Sequence, residues 1–148
     1  MAKPIPWFQR TVDEFHEKKG RGVGSWGDNL LLMTSRGART GTETTMPLVC
    51  RRRGDAYVVC ASLGGAPRNP QWFHNIQVNP NVMIEVPTPG GTEHLQARAR
   101  VVPNGKERDE LYAWMTEVWP SFADYARRTE RIIPVVILDV VKPDGEER

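Results

Sequence analysis

The segment from residue 44 to residue 75 carries most of the structural information in this chain, and it reads TTMPLVCRRRGDAYVVCASLGGAPRNPQWFHN. Its first half holds two β-rich runs, residues 44–52 and 56–62, on either side of Gly54-Asp55, which predicts a β-hairpin. Its second half passes through a Gly-Gly pair into a helix, with Asn69 as the expected cap and Pro70 in the first turn. The backbone N–H groups at such a helix start favour an anion.

The remaining pattern predicts a mainly β (α+β) fold. Further strands are expected at residues 29–35, 82–86, 95–102 and 133–141, and short helices at residues 7–19, 70–78, before Pro120 and at residues 121–131. Hairpins join most of these strands, whereas a doubly wound parallel sheet needs alternating strands and helices. We therefore expect a small barrel of about six mostly antiparallel strands with helices packed outside.

The domain organisation follows from length and local composition. A chain of 148 residues fits one domain. We divide it into an N-terminal amphipathic helix with a Gly-rich loop (residues 1–27), the barrel (28–141) and a charged tail (142–148). The helix carries an apolar stripe of Trp7, Phe8, Val12 and Phe15. Such a stripe packs against the protein, or in an alternative interpretation rests on a membrane surface.

Composition narrows the class of protein. Hydrophobic residues make up 39% and charged residues 26%, which is ordinary for a globular chain. There is no apolar run long enough to span a membrane and no signal-peptide pattern. Cys50 and Cys60 lack a CxxC spacing, and the three histidines are scattered. We expect a cytoplasmic protein without a metal.

Positive charge is concentrated in one part of the chain. Residues 34–53 contain five arginines and a single acid, Glu43, a local balance of +4 in a chain whose net charge is +2. Such a segment suggests that an anionic partner binds locally, at this part of the chain. The alternative is that these arginines only keep a loop and an edge strand soluble.

The common catalytic motifs are absent. No GxSxG elbow surrounds Ser62, and no acid is obviously placed to orient His74. The chain has neither a GxGxxG nor a Walker loop. What remains is a cofactor site, with an arginine-rich turn at residues 36–40 and the Gly-Gly loop for an anionic tail. Aromatic side chains such as Trp72 and Trp119 would then stack on a flat ring.

Several motifs in register resemble the deazaflavin-dependent nitroreductase family. They are TSRGARTG (34–41), MPL (46–48), AS with GGA (61–66), NPQWFHN (69–75), NP (79–80), PSFADY (120–125) and the run from Arg131 to Val136. The resemblance covers residues 30–140 in consistent order. It implies a split β-barrel of the flavin-reductase type and the coenzyme F-420, an 8-hydroxy-5-deazaflavin with an anionic phospholactyl and oligoglutamate tail.

The resemblance also implies a set of site residues. Cofactor contacts are expected from Arg36, Ala38, Arg39, Thr40, Thr44, Thr45, Met46, Pro47, Leu48, Cys60, Ala61, Ser62, Leu63, Arg68, Gln71, Trp72, Phe73, His74 and Asn75. The substrate is expected near Trp119, Phe122 and Tyr125. Tyr125 and Ser62 are the expected catalytic residues, Tyr125 as a proton or hydrogen-bond donor and Ser62 as a hydrogen-bonding group.

The implied activity is hydride transfer from the reduced cofactor to an electron-poor acceptor such as a quinone, enone or nitroaromatic. Two alternatives stay open: a non-catalytic F-420 carrier or store, and an FMN-dependent reductase on the same barrel. We expect a small-molecule acceptor and no nucleic acid as partner. The assembly is expected to be a monomer or a homodimer.

Overall fold

The computed structural model describes residues 3–4 and 8–142, so Trp7 and tail residues 143–148 lie outside the described residues. The strands are β1 (Lys3–Pro4), β2 (Leu30–Arg36), β3 (Glu43–Val49), β4 (Arg51–Arg53), β5 (Ala56–Cys60), β6 (Asn81–Thr88), β7 (Gly91–Val101) and β8 (Val135–Val140). The α-helices are α1 (Gln9–Glu17), α2 (Gln71–Val78), α3 (Lys106–Thr116) and α4 (Ser121–Arg128). Short 3₁₀ turns lie at Gly24–Trp26 and Leu63–Gly65.

All strands belong to one sheet, in the order β1-β3-β2-β6-β7-β8-β5-β4. Neighbouring strands are antiparallel except β1 and β3, which are parallel. β3 and β4 lie near opposite ends of this order, yet only Cys50 separates them in the chain. The sheet must therefore curl until its two ends meet, which confirms the predicted mainly antiparallel barrel. The two strands beyond the predicted six are β1 and β4, which have two and three residues and are too short for the sequence pattern to reveal.

The predicted hairpin exists, but it is shorter than expected. Residues 44–52 do not form one strand, because β3 pairs with β2 along its length and only β4 pairs with β5 around Gly54-Asp55. The break falls at Cys50, which is buried and whose N–H donates to the carbonyl of Asn29 at 3.0 Å. At this point the chain crosses from one end of the curled sheet to the other.

Alternation along β2 sends its side chains into two of the three clusters that form the core. Leu31 and Met33 pack in the main cluster, which also contains Trp72 and Ile76 of α2. Leu30 and Leu32 belong instead to a second cluster, with Val12 and Phe15 of α1 and with Val23. Phe15 is fully buried and Val12 nearly so. These two members of the N-terminal apolar stripe therefore pack against the barrel and are not available to a membrane surface.

Helix α2 begins one residue later than the sequence predicts. Pro70 occupies the capping position with an extended backbone (φ −67°, ψ 156°), and Gln71 is the first helical residue. The side chain of Asn69 caps no N–H group, since its Oδ1 accepts a hydrogen bond from Arg131 at 2.7 Å. Within the described residues, no helix has the length and apolar character needed to cross a membrane.

Candidate functional site

The turn after β2 and the first turn of α2 face each other across an open depression of about 470 Å³, here called the basic groove. Its walls come from the turn after β2, from β3, from the loop after β5 and from α2. The residues that line it are Gly37, Ala38, Arg39, Thr40, Thr42, Thr44, Met46, Leu63, Arg68, Pro70, Gln71, Trp72 and Asn75. The loop after β5 thus meets the arginine-rich turn, as the sequence predicts.

A second depression of about 140 Å³, here called the aromatic cavity, adjoins the basic groove. It is lined by Phe8, Trp26, Met46, Pro47, Leu48, Val49, Cys60, Ser62, Leu63, Gly64, Pro70, Trp72, Trp119, Phe122 and Tyr125. None of these side chains carries a charge at neutral pH. Its polar side-chain groups are the hydroxyls of Ser62 and Tyr125, the Cys60 thiol and the indole N–H groups.

Four residues line both depressions and form their common wall: Met46, Leu63, Pro70 and Trp72. Leu63 is the unusual member, because its φ of +46° lies in the left-handed region that bulky residues rarely adopt. Gly64 and Gly65 continue in the same region, at +62° and +84°. A strained backbone of this kind is maintained only where the surrounding structure holds it.

The electrostatics of the basic groove favour an anion. Among the described residues, neither Arg39 nor Arg68 forms an ion pair, so both guanidinium charges are available to a ligand. Asn75, which is only 3% exposed, accepts hydrogen bonds from the N–H of Ala38 and from Gln71 Nε2, both at 3.1 Å. It thereby ties the arginine-rich turn to α2 and fixes the width of the groove.

In the aromatic cavity, the hydroxyl of Tyr125 has a defined polarity. Trp119 Nε1 donates to the Tyr125 oxygen at 3.4 Å, and an indole nitrogen can only donate. The hydroxyl hydrogen of Tyr125 therefore remains free to donate elsewhere. Burial raises the pKa of the Cys60 thiol to about 12, so this thiol is protonated at neutral pH and is no nucleophile.

The structure brings most of the residues predicted from the sequence into one continuous site. Those that line the groove or the cavity are Ala38, Arg39, Thr40, Thr44, Met46, Pro47, Leu48, Cys60, Ser62, Leu63, Arg68, Gln71, Trp72, Asn75, Trp119, Phe122 and Tyr125.

Five predicted residues lie elsewhere. Arg36 faces a separate surface depression, where its guanidinium is 3.9 Å from Glu43. Thr45 hydrogen-bonds to Thr34 on the other face of the strand pair. Ala61 and Phe73 are buried without lining either depression, and His74 is exposed on α2.

Sequence reasoning missed several lining residues, of which Trp26 is the most informative. It lies on the 3₁₀ turn Gly24–Trp26 and packs against Trp119 with ring centroids 6.0 Å apart. The N–H of Gly24 donates to Glu14 of α1 at 3.0 Å. The hydrogen bond from Lys18 at 2.8 Å, helped by this Gly24 bond, keeps the pKa of Glu14 below its ordinary value. A tryptophan among glycines was the available signal, but its partner lies 93 residues further along the chain.

Comparisons with known proteins agree with this geometry. Residues 7–140 match the profile of a protein family described as F420H(2)-dependent quinone reductase. The F420H(2)-dependent quinone reductase of Mycobacterium tuberculosis strain H37Rv is 38% identical over 145 residues, covering 89% of this chain and 95% of that protein.

Solved structures are similar as well. One, described as an F420-H2 dependent reductase (FDR-A), has a TM-score of 0.66 and 32% identity over 75% of this chain and 94% of its own. Another, described as a domain-swapped dimer, has a TM-score of 0.68 and 29% identity, covering 90% and 98%. The haem storage protein HutZ from Vibrio cholerae shares the fold alone, at 13% identity over 92% of both chains and a TM-score of 0.61.

These matches confirm the split β-barrel and the resemblance to deazaflavin-dependent reductases that the motifs indicated. The match extends over both depressions, from the arginine-rich turn to α4. By its sequence and its fold, the chain belongs to the F420H(2)-dependent quinone reductase family.

Proposed function

We propose that this protein is an oxidoreductase that uses reduced coenzyme F-420 to reduce a quinone. The observation that carries this proposal is the juxtaposition of a basic, hydroxyl-rich groove and an uncharged aromatic cavity across one common wall. Family membership makes F-420 the cofactor. A cofactor with a charged tail and a flat ring requires two such environments side by side.

The donor set of the groove fits the tail of this cofactor. Arg39 and Arg68 offer guanidinium groups that form no ion pair with any described residue, and Thr40, Thr42 and Thr44 add hydroxyls. These groups bind phosphate and carboxylate oxygens through charge-assisted hydrogen bonds. The volume of about 470 Å³ lies within the roughly 300–1,000 Å³ of small-molecule sites. Arg39 and Arg68 would hold the tail, and the common wall would contact the ring.

Roles in the reaction follow from the aromatic cavity. When bound, reduced F-420 supplies the hydride, and the protein supplies orientation and electrostatics. Quinone reduction also needs a proton, and Tyr125 is a suitable donor because its oxygen already accepts from Trp119. Ser62 lines the same cavity and would hydrogen-bond an acceptor oxygen or a ring carbonyl. Trp119 and Phe122 would flank the acceptor.

Binding of F-420, followed by the polarisation of its fluorescence, tests the proposal. Replacing Arg39 by Ala removes a charge from the groove, and we expect the Kd to rise about tenfold, the effect of losing about 1.5 kcal/mol. The matched control is Arg36→Ala, since Arg36 faces Glu43 outside the groove and its loss should leave the Kd unchanged. Equal Kd values for the two variants would contradict this placement of the tail, and wild-type protein that gives no polarisation change would refute F-420 binding altogether.

Turnover distinguishes the enzyme from a carrier. A reductase oxidises reduced F-420 in the presence of menadione over many cycles, whereas a carrier binds the cofactor without turnover. An FMN-dependent reductase would instead purify with flavin absorbance. Binding without turnover for any quinone, enone or nitroaromatic would favour the carrier.

Assembly and location complete the proposal. A similar solved structure is described as a domain-swapped dimer, which supports a homodimer here. Cys50 and Cys60 are buried free thiols, as expected in a reducing compartment, and they support a cytoplasmic location. Peripheral membrane contact is not part of the proposal, because Val12 and Phe15 pack against the barrel.

A further inference from the structure

Arg131 lies behind the loop that forms the common wall, and it lines neither depression. Its guanidinium donates four hydrogen bonds to this loop. Nε donates to the carbonyl of Ala66 at 2.9 Å, and Nη1 donates to Oδ1 of Asn69 at 2.7 Å. Nη2 donates to the carbonyls of Ala61 at 3.3 Å and Ser62 at 2.9 Å. One side chain therefore fixes both ends of the segment between β5 and α2.

The segment between these attachment points is the strained part of the loop. Leu63, Gly64 and Gly65 all have positive φ. Inside the turn, the N–H of Gly65 donates to Ser62 at 2.9 Å and the N–H of Ala66 donates to Leu63 at 3.1 Å. Two such bonds hold a short turn weakly, and left-handed backbone at a leucine is costly. The external hydrogen bonds from Arg131, together with a longer one from Arg128 Nη1 to the carbonyl of Gly64 at 3.4 Å, help to maintain this conformation.

The attachment also determines which way the peptide groups face. In a trans peptide the C=O and the following N–H point in opposite directions. Because the carbonyls of Ala61 and Ser62 point toward Arg131, the N–H groups of Ser62 and Leu63 point away from it. Neither N–H has a hydrogen-bond partner among the described residues. Both residues that carry these donors contribute to the cavity walls.

The arrangement depends on the shape of a guanidinium. The planar guanidinium has five N–H donors, which can reach the three loop carbonyls and Asn69 Oδ1 at the same time. The ammonium group of a lysine is a compact point charge on a flexible stem and does not match this set of acceptors. Arg131 forms no ion pair with any described residue, so its charge is balanced by loop oxygens alone. All four hydrogen bonds that the guanidinium donates go to the loop.

We propose that Arg131 is a positioning residue for the cofactor and acceptor: it holds the backbone of Ser62 and Leu63 in the conformation that presents both N–H groups and both side chains to the site. The proposal rests on the function proposed above, but its structural part concerns the loop itself. Arg131 touches neither the groove nor the cavity and acts entirely through the loop.

The test compares Arg131→Ala and Arg131→Lys with a matched control, Arg108→Ala. Arg108 also has a partly buried guanidinium that bonds to a backbone carbonyl, that of Ile133 at 2.7 and 3.0 Å, and it packs over Tyr112. Among the described residues, no hydrogen bond or ion pair joins Arg108 to the loop. Three quantities are measured: amide hydrogen exchange of Gly65 and Ala66 without cofactor, the Kd of F-420, and kcat and KM with menadione.

We expect Arg131→Ala to accelerate exchange at Gly65 and Ala66 and to raise the Kd of F-420 about tenfold or more, since several charge-assisted bonds are lost. Arg131→Lys should lie between Ala and wild type. Arg108→Ala should lower thermal stability while leaving the exchange of these two amides and the Kd unchanged. If Arg131→Ala does not fold, Asn69→Ala, which removes only the 2.7 Å bond, should shift exchange and Kd in the same direction by a smaller factor.

The proposal is overturned if Arg131→Lys and Asn69→Ala both keep the amide exchange rates and the Kd of the wild type. It is also overturned if Arg108→Ala changes the Kd as much as Arg131→Ala does. Failure of the proposed function is distinct from both results. In that case wild-type protein does not bind F-420, while the exchange of Gly65 and Ala66 still reports whether Arg131 holds the loop.

Discussion

Tyr125 is the side chain whose chemistry can be isolated by removing one atom. Tyr125→Phe keeps the ring against Phe122 but removes the hydroxyl that accepts from Trp119. We expect kcat with menadione to fall on the order of a hundredfold, the lower range for a general acid, while the Kd of F-420 stays constant. Steady-state kinetics and fluorescence polarisation measure the two quantities.

Tyr57→Phe is the control for this substitution, because Tyr57 lies on β5 outside both depressions and packs near Arg52. Its kcat should equal that of the wild type. A wild-type kcat in Tyr125→Phe would mean that the proton comes from water and that the hydroxyl has no part in the reaction.

Sequence motifs identify runs of residues near the site, whereas the geometry decides which residues of each run line it. Thr44 and Met46 face the groove, and Thr45 between them faces the other way, as alternation along a strand requires. On α2, Gln71, Trp72 and Asn75 reach the site, while His74 does not. Strand and helix periodicity would have separated these residues. The pairing of Arg36 with Glu43 depends on strand register, which the sequence does not reveal.

Among the elements, α4 and the turn Leu63–Gly65 are in direct backbone contact. A Cβ atom on Gly65 would lie 2.9 Å from the carbonyl oxygen of Tyr125 and 3.0 Å from its Cα. We expect Gly65→Ala to destabilise the protein by about 1–3 kcal/mol from overpacking, beyond the cost of its left-handed backbone. Because α4 carries Phe122 and Tyr125, the KM for menadione should rise as well. Thermal unfolding and kinetics measure both effects.

Gly64→Ala is the matched comparison, since Gly64 has nearly the same kind of backbone (φ +62°) but open space at the Cβ position. Its cost should be limited to roughly 1–2 kcal/mol from the left-handed conformation. Equal losses in the two variants would mean that α4 adapts freely to the turn and that the two elements are not coupled.

The elements themselves were largely predictable, and the exceptions have physical causes. Apolar runs and turn residues locate the strands and helices, but nothing in residues 44–52 marks the break at Cys50. That break exists because the sheet closes, and closure is a property of all the strands together. The same limit applies to Arg131, whose four bonds span more than 60 positions along the chain.

For the molecule as a whole, the N-terminal region is the part whose relation to the barrel the sequence left open. Several contacts tie it to the barrel: Phe15 packs with Leu30 and Leu32 of β2, and His16 Nε2 lies 3.0 Å from the buried carboxylate of Glu85 on β6. Because Phe8 and Trp26 also line the aromatic cavity, we expect residues 8–27 to unfold together with the barrel.

Phe15→Ala tests this cooperativity. Phe15 is fully buried, and truncating a buried phenylalanine costs about 3–5 kcal/mol, a large part of the total stability of a domain. We expect guanidinium chloride unfolding to remain a single transition, at a lower midpoint, when followed by tryptophan fluorescence and by circular dichroism. The exposed Val101→Ala, with 39% of its surface accessible, should change the free energy of unfolding by less than about 0.5 kcal/mol. If Phe15→Ala instead unfolds in two transitions, the second with the midpoint of the wild-type barrel, the N-terminal region unfolds independently of the barrel.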